Sequence, residues 1–200
     1  MGVVAKKTGA MTDRAEALIV GLMYEPNALA MQVAFETGLR ISDVLALTTK
    51  QIKQKTFTVT EQKTGKKRKI KLTDALRASL LQISGEMYIF PHRLDKTKHR
   101  TRQTVWKDIK RVERILQNEG YLQQTDTKRH GKSDKGSVLG THSGRKTYAR
   151  RYYDDTQDFD GLRHRLNHQR DEITAVYLLS QMIDIRPGRK NRVDRNKKVN

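Results

Sequence analysis

Apolar residues fall three and four apart along most of this chain, and they alternate with polar ones in a single stretch. The two periods cannot be served by one kind of backbone. The pattern therefore predicts a mainly α domain, of the α+β kind, with one small antiparallel β-hairpin. Thr12 to about Met23 reads as a helix, with Thr12 as N-cap and Ala15, Leu18, Ile19 and Leu22 on one face. Asn27 to Glu36 makes a second, ended by Gly38 in the position that favours glycine. Ser42 to Leu47 makes a third. Thr56 to Thr60 alternates apolar and polar with β-branched residues. Ile70 and Leu72 alternate with Lys69 and Lys71 in a partner strand, and Lys63-Thr64-Gly65-Lys66 supplies the turn. Helices follow at Thr73 to Leu81 and at Arg102 to about Asn118, the latter with Val105, Ile109, Val112 and Leu116 inward and Gly120 closing it. His142 to Tyr153 and Phe159 to Leu166 are also expected to be helical, and Asp171 is expected to N-cap a last helix carrying Ile173, Val176, Tyr177 and Leu178. The Lys-, Ser- and Gly-rich stretch from Gln123 to Gly140 is expected to be a mobile loop.

Length bounds the organisation. With 200 residues the chain suits one domain. Residues 1–11 are expected to form a disordered basic lead-in, 12–186 the folded domain, and 187–200, from Pro187-Gly188-Arg189-Lys190 onward, a basic tail. No internal repeat is visible.

Charge points to the partner. Lys and Arg number 41 against 22 Asp and Glu, a formal charge of +19. A compact domain with that charge repels itself and calls for a polyanion. Nucleic acid rewards such a surface by releasing counterions from its phosphates. An anionic membrane is the weaker reading, because no stretch approaches the ~20 apolar residues of a spanning helix. The opening Met1 to Lys7 is too short and polar for a secretory signal, and Lys6 stands where a myristoylation motif needs Ser or Thr. The absence of cysteine excludes disulfides and thiolate zinc sites and fits a cytoplasmic protein.

Four short segments carry candidate chemistry. Thr37-Gly38-Leu39-Arg40-Ile41-Ser42-Asp43-Val44-Leu45-Ala46-Leu47 places an arginine between a helix-ending glycine and a new amphipathic helix. Glu61-Gln62-Lys63-Thr64-Gly65-Lys66 places lysines on the hairpin turn. Thr141-His142-Ser143-Gly144-Arg145 sets a histidine and an arginine three apart, on one helical face. In Leu166-Asn167-His168 and the run up to Tyr177, histidine and tyrosine stand nine residues apart. At ~100° per residue that spacing puts them on opposite sides of a continuous helix, so they can meet only if the helix breaks between them.

In this order, the four segments resemble the catalytic domain of the tyrosine recombinase (phage integrase) family over roughly residues 12–180. The resemblance is to its TGLR segment, its hairpin lysine, its H-x-x-R box, and its L-G-H box with tyrosine nine residues on. Three departures stand out. Gly144 and Lys146 occupy positions where the family usually has Leu and often His, and Asn167 replaces a glycine. Asparagine is the next best residue for a left-handed backbone position. With about eleven residues before the first helix, the family's separate N-terminal core-binding domain is expected to be absent.

The resemblance implies a site-specific recombinase that cleaves and rejoins DNA through a 3′-phosphotyrosine, without metal or other cofactor. It implies Tyr177 as nucleophile, Arg40 and Arg145 as phosphate clamps, His142 as proton acceptor or orienter, and His168 as a phosphate hydrogen-bond donor. Lys63 is the implied general acid, with Lys66 as the alternative, and Asp43 is a support. Lys66, Lys67, Arg68, Lys69 and Lys146 are the implied contacts to double-stranded DNA. Four protomers on two duplexes are implied, with residues 178–200 packing on a neighbouring protomer, and with a cytoplasmic, nucleoid-associated place in the cell. Tyr152 and Tyr153 are alternative nucleophiles, since they lie on the H-x-x-R helix. Three other functions fit parts of the pattern. They are an inactive or accessory DNA-binding protein of the same fold, a type IB topoisomerase-like relaxing enzyme and, on charge alone, an RNA-binding protein.

Overall fold

The computed structural model describes residues 8–122, 125–129, 132–136, 138–180 and 182–185, with the backbone alone for the two five-residue stretches. The first helix, α1 (Asp13–Leu22), begins as expected, with the Thr12 hydroxyl accepting from the Ala15 N–H. The next, α2 (Glu25–Thr37), starts two residues earlier than the apolar pattern indicates, because Pro26 is preorganised for a first helical turn. It ends at Gly38 in the left-handed conformation, φ 67°. From Ala28 to Phe35 nearly every side chain of α2 is buried, so this helix is the spine around which the others pack.

After α3 (Ile41–Leu45) comes α4 (Thr49–Ile52), a single turn closed by a capping box between Thr48 and Gln51. The hairpin pairs β2 (Thr56–Thr60) with β3 (Lys67–Lys71), in register Thr58↔Lys69. Leu72 lies just past β3 yet is buried in the core. Alternation turns Phe57, Val59, Arg68 and Ile70 inward and Lys67, Lys69 and Lys71 to solvent. Two helices, α5 (Asp74–Ile83) and α6 (Arg102–Asn118), complete the first part of the fold.

Residues 123–140 are not the uninterrupted loop that their composition predicts. They contain an antiparallel hairpin, β4 (Thr125–Arg129) against β5 (Lys132–Gly136). Its backbone register runs from Thr125↔Gly136 to Arg129↔Lys132, a pairing that a count of loop-forming residue types does not register.

The last helices are α7 (Ser143–Thr156), α8 (Phe159–Arg165) and α9 (Asp171–Leu178). The N-cap of α9 is Arg170, not Asp171. Asp171 sits in the first turn, where its carboxylate meets Arg163 at 3.1 Å and the positive end of the helix. The lead-in is ordered at its end. β1 (Ala10–Met11) pairs in parallel with β6 (Met182–Ile183), joining the two ends of the described chain. A two-residue strand whose partner lies far along the chain leaves no local pattern to read. Residues 1–7 of the expected lead-in and the basic tail from 187 lie outside the described residues. Among the described residues no helix is long and apolar enough to cross a membrane.

Two apolar clusters hold the fold. The large one joins α1 to α6, the β2–β3 hairpin and the end strand. The small one, Ala149, Leu162 and Leu166, is ringed by Tyr148, Tyr152, Tyr153, Tyr177 and Leu178, and it seats α9 against α7 and α8.

Candidate active site

Arg145 is the largest side chain among the fully buried residues, 1% exposed, on the first turn of α7. Its guanidinium donates to the Gly38 carbonyl at 2.6 Å and to the Leu166 carbonyl. One arginine thus joins the end of α2 to the end of α8. Burial, and then the nearby Arg40 charge, push its pKa down to about 10, so it remains cationic. The helix that carries it lies close on α2. A Cβ added at Gly144 would meet the Ala34 Cβ at 3.0 Å and the Met31 Cε at 3.3 Å. That close approach accounts for a glycine where the resemblance noted above leads one to expect leucine.

Arg40 is the N-cap of α3, with its Nη1 donating to Glu61 Oε2 at 2.5 Å. Glu61 is fully buried and also takes Arg68 on Oε1 at 3.3 Å. Burial would raise its pKa, but the hydrogen bond from Arg40 and the charges of Arg145 and Arg40 outweigh that and hold the carboxyl below its usual range. Asp43, buried in α3, accepts the Gln62 N–H at 3.0 Å and so holds the start of the turn rather than bonding Arg40. Burial raises the Asp43 pKa, the Gln62 N–H pulls it back, and the Glu61 charge adds to the rise.

His142 is the N-cap of α7, and its Nδ1 lies 3.4 Å from the Tyr177 hydroxyl. His168 follows Asn167, whose φ of 49° is the left-handed turn that the asparagine was expected to make. This turn ends α8 and lets α9 return, which brings the His168 ring to 4.9 Å from the Tyr177 ring, edge to face. His168 Nδ1 hydrogen-bonds the Thr174 hydroxyl, itself fully buried, at 3.0 Å. Both histidines have pKa values pushed down to about 4, first by lost hydration, although His142 keeps an exposed edge, and then by surrounding cations. For His142 these are Arg102, Arg145, Arg40 and Lys146, and for His168 Arg145 and Arg40 lead. Both rings are therefore neutral near pH 7, and His142 is able to accept a proton.

The structure thus brings Arg40, Arg145, His142, His168 and Tyr177 together. Lys63 is exposed on the hairpin turn, and its charge also helps to depress the His168 pKa. Lys66, Lys67 and Lys69 are exposed on the same hairpin. Two expected surface contacts face inward instead. Arg68 shares the inner face with Ile70 and donates to the Thr37 carbonyl at 2.8 Å as well as to Glu61. Lys146 is 2% exposed, bonds the Thr8 carbonyl, and sits 5.7 Å from the centre of the Tyr177 ring. The Tyr152 hydroxyl is directed to Asp158 at 3.3 Å, and Arg165 lies over its ring.

Sequence reasoning passes over Glu61 and Thr174. The signal for Glu61 was present, a lone carboxylate in a run of lysines and arginines. Among the described residues no three His, Asp or Glu gather as a metal site would require.

The profile of the phage integrase family matches residues 11–182. A curated relative, the probable integrase/recombinase YoeC of Bacillus subtilis (strain 168), is 32% identical over 149 residues, 71% of each chain. Among solved structures, lambda integrase as a dimer bound to a COC′ core site is 20% identical with a TM-score of 0.64, over 92% of this chain and 65% of that one. The Tn1549 transposon integrase in complex with transposon right-end DNA gives a TM-score of 0.67 at 13% identity, over 90% of this chain and 64% of that one. The XerH recombinase bound to its difH substrate gives 0.60 at 16% identity, over 86% of this chain and 50% of that one. The chain thus spans between half and two-thirds of these solved structures and shares the fold of their catalytic domains, helices around a small antiparallel hairpin. The profile runs through every segment that builds the site, and the chain belongs to the phage integrase family.

Proposed function

We propose that the chain is a site-specific DNA recombinase that cuts and rejoins strands through a 3′-phosphotyrosine at Tyr177. One observation carries this reading. The Tyr177 hydroxyl stands 3.4 Å from a neutral imidazole, in a site where Arg145 and Arg40 supply two guanidiniums. A phenol with an ordinary pKa of about 10 is a weak nucleophile at neutral pH and needs such a base and such a field.

In the reaction the Tyr177 oxygen attacks phosphorus, and its proton passes to His142 Nδ1. The P–O bond to the 5′ oxygen breaks, and that oxygen leaves with a proton from Lys63. The bond energy is kept in the phosphotyrosine, so a 5′-hydroxyl from another strand reverses the step. Arg40 and Arg145 hold the non-bridging oxygens, where charge grows, and His168, oriented by Thr174, adds a hydrogen bond. The outward lysines Lys66, Lys67 and Lys69 meet the backbone of double-stranded DNA. Four protomers on two duplexes are the proposed working assembly. The solved relatives bound to core-site, transposon-end and difH DNA are consistent with this substrate class.

The test is a nicked suicide duplex that traps the covalent intermediate. Wild-type protein is expected to form a protein–DNA adduct that maps to Tyr177, and Tyr177→Phe none. If wild-type protein binds the duplex without forming an adduct, the chain is a DNA-binding protein of this fold and not a recombinase.

A further inference from the structure

We propose that Glu61 is a positioning residue that ties the phosphate-clamping Arg40 to the turn carrying Lys63, so that phosphate capture and leaving-group protonation are coupled. The proposal rests on the strand-cleavage reading above. Glu61 closes the turn with its own backbone, its N–H donating to the Lys66 carbonyl at 3.0 Å and its carbonyl accepting the Gly65 N–H at 2.8 Å. The same residue's Oε2 accepts Arg40 Nη1 at 2.5 Å and the Thr64 hydroxyl at 3.1 Å. Arg68 braces the other oxygen at 3.3 Å. The turn residue next to it, Gln62, is held from α3 by Asp43. Lys63 therefore hangs from a segment fixed on both sides, and one of the fixing groups is bonded to the clamp itself.

A stability role alone is a poor account of this carboxylate. A buried ion pair contributes little net stability against an apolar replacement of the same shape, and the role inferred for this one is to set a single geometry about Arg40. Here that geometry keeps one amino group of Arg40 on Glu61 and leaves the other guanidinium donors for a phosphate. A slackened Glu61 frees the arginine to sample other rotamers and lets the turn drift, and each loss weakens a preorganised donor.

The experiment measures single-turnover adduct formation on two duplexes. One has an ordinary phosphodiester at the cleavage site. The other has a 5′-bridging sulfur, whose P–S bond breaks to release a thiolate that needs no proton. In both, the Tyr177 proton goes to His142. Lys63→Ala is expected to lose rate with the oxygen substrate and to regain it with sulfur. Glu61→Gln is expected to lose ~10²-fold with oxygen and to regain only part of it with sulfur, because the Arg40 clamp remains slack. Adding Glu61→Gln to Lys63→Ala should cost less than the two single losses multiplied. Thr64→Val removes only the bond between turn and carboxylate, and its smaller loss should be recovered fully with sulfur. That variant decides the matter should Glu61→Gln melt too early to be assayed. Wild-type rates in both variants overturn the proposal. So does a Glu61→Gln deficit that is equal on both substrates and multiplies fully with Lys63→Ala, which would make Glu61 a support of Arg40 alone. Absence of any wild-type adduct on either duplex removes the cleavage reading and this inference together.

Discussion

Arg145 is both a structural tie and a charge for the site, and the two roles can be separated. Its fork spans two backbone carbonyls, Gly38 and Leu166, in a buried place. A lysine offers one compact ammonium and cannot serve both. Arg145→Lys is expected to cost ~1–3 kcal/mol of folding stability, for a buried carbonyl left without a partner, and ~10²–10³ in adduct rate. Urea unfolding and single-turnover trapping measure the two losses, and an unchanged adduct rate would remove Arg145 from the proposed clamp. The histidines make a second prediction. His142 and His168 stay neutral in the folded protein down to about pH 4, while in the unfolded chain a histidine takes up a proton from about pH 6.5 downward. A depressed folded pKa means that the unfolded state binds more protons as the pH drops. The stability is thus full above about pH 6.5 and is lost as the pH falls toward about 4. The melting temperature is expected to fall across that window, and His142→Gln should flatten the fall. Most of the residues gathered around Tyr177 were legible at this scale, because each occupies a spaced motif, as with His168 and Tyr177 nine apart. Glu61 and Thr174 were not, because they act on other protein groups and their spacing follows the fold rather than a phosphate.

At the scale of elements, α7 crosses α2 where both helices are narrow, at Gly144 and Ala34. Gly144→Leu restores a residue common in the family, yet it drives a side chain into backbone and core atoms at contact distance. It is expected to destabilise the fold by ~1–3 kcal/mol. Gly21, exposed in α1 with nothing within 4 Å of an added Cβ, is the control, and Gly21→Ala should stabilise by ~0.5–1 kcal/mol. Equal urea midpoints for the two variants would mean that α7 does not need the close approach. The longer helices were legible from apolar period alone, and α6 has the residue limits that the sequence predicts. The elements that were not legible share a cause. In β4 and β5 the residue types are those of loops, α4 is one turn long, and β1 with β6 is a pairing across nearly the whole chain. In each, the stabilising contacts are capping or cross-strand pairings, which a hydrophobic pattern does not encode. The shift of the α9 N-cap from Asp171 to Arg170 has the same origin, since Arg163 on another helix claims the carboxylate.

For the whole molecule, the formal charge of +19 is sorted by burial into paired interior groups and outward cations. Four carboxylates, Asp43, Glu61, Asp108 and Glu113, are buried and answered by internal partners. Asp108 takes Arg111 and the backbone and side chain of the α1–α2 junction, and Glu113 takes Lys110 with the Val138 and Leu139 N–H groups. Their charges are spent on folding, and the exposed cations are left to face a polyanion. Hairpin β2–β3 shows the division within one strand, where alternation sends Lys67 and Lys69 out and Arg68 in to Glu61. If duplex DNA is the partner, its affinity should fall steeply with salt, with each neutralised phosphate adding ~0.9 to the slope of log affinity against log salt. Lys67→Ala with Lys69→Ala is expected to lower that slope by ~2 and leave the melting temperature almost unchanged. Arg68→Ala should do the reverse, leaving the slope alone while lowering the melting temperature, because it strips a buried carboxylate of one of its cations. Fluorescence anisotropy with a labelled duplex over a salt series, beside thermal melts of the three proteins, distinguishes the two patterns. A slope that the lysine pair does not move would mean that the outward face of this hairpin does not touch the backbone.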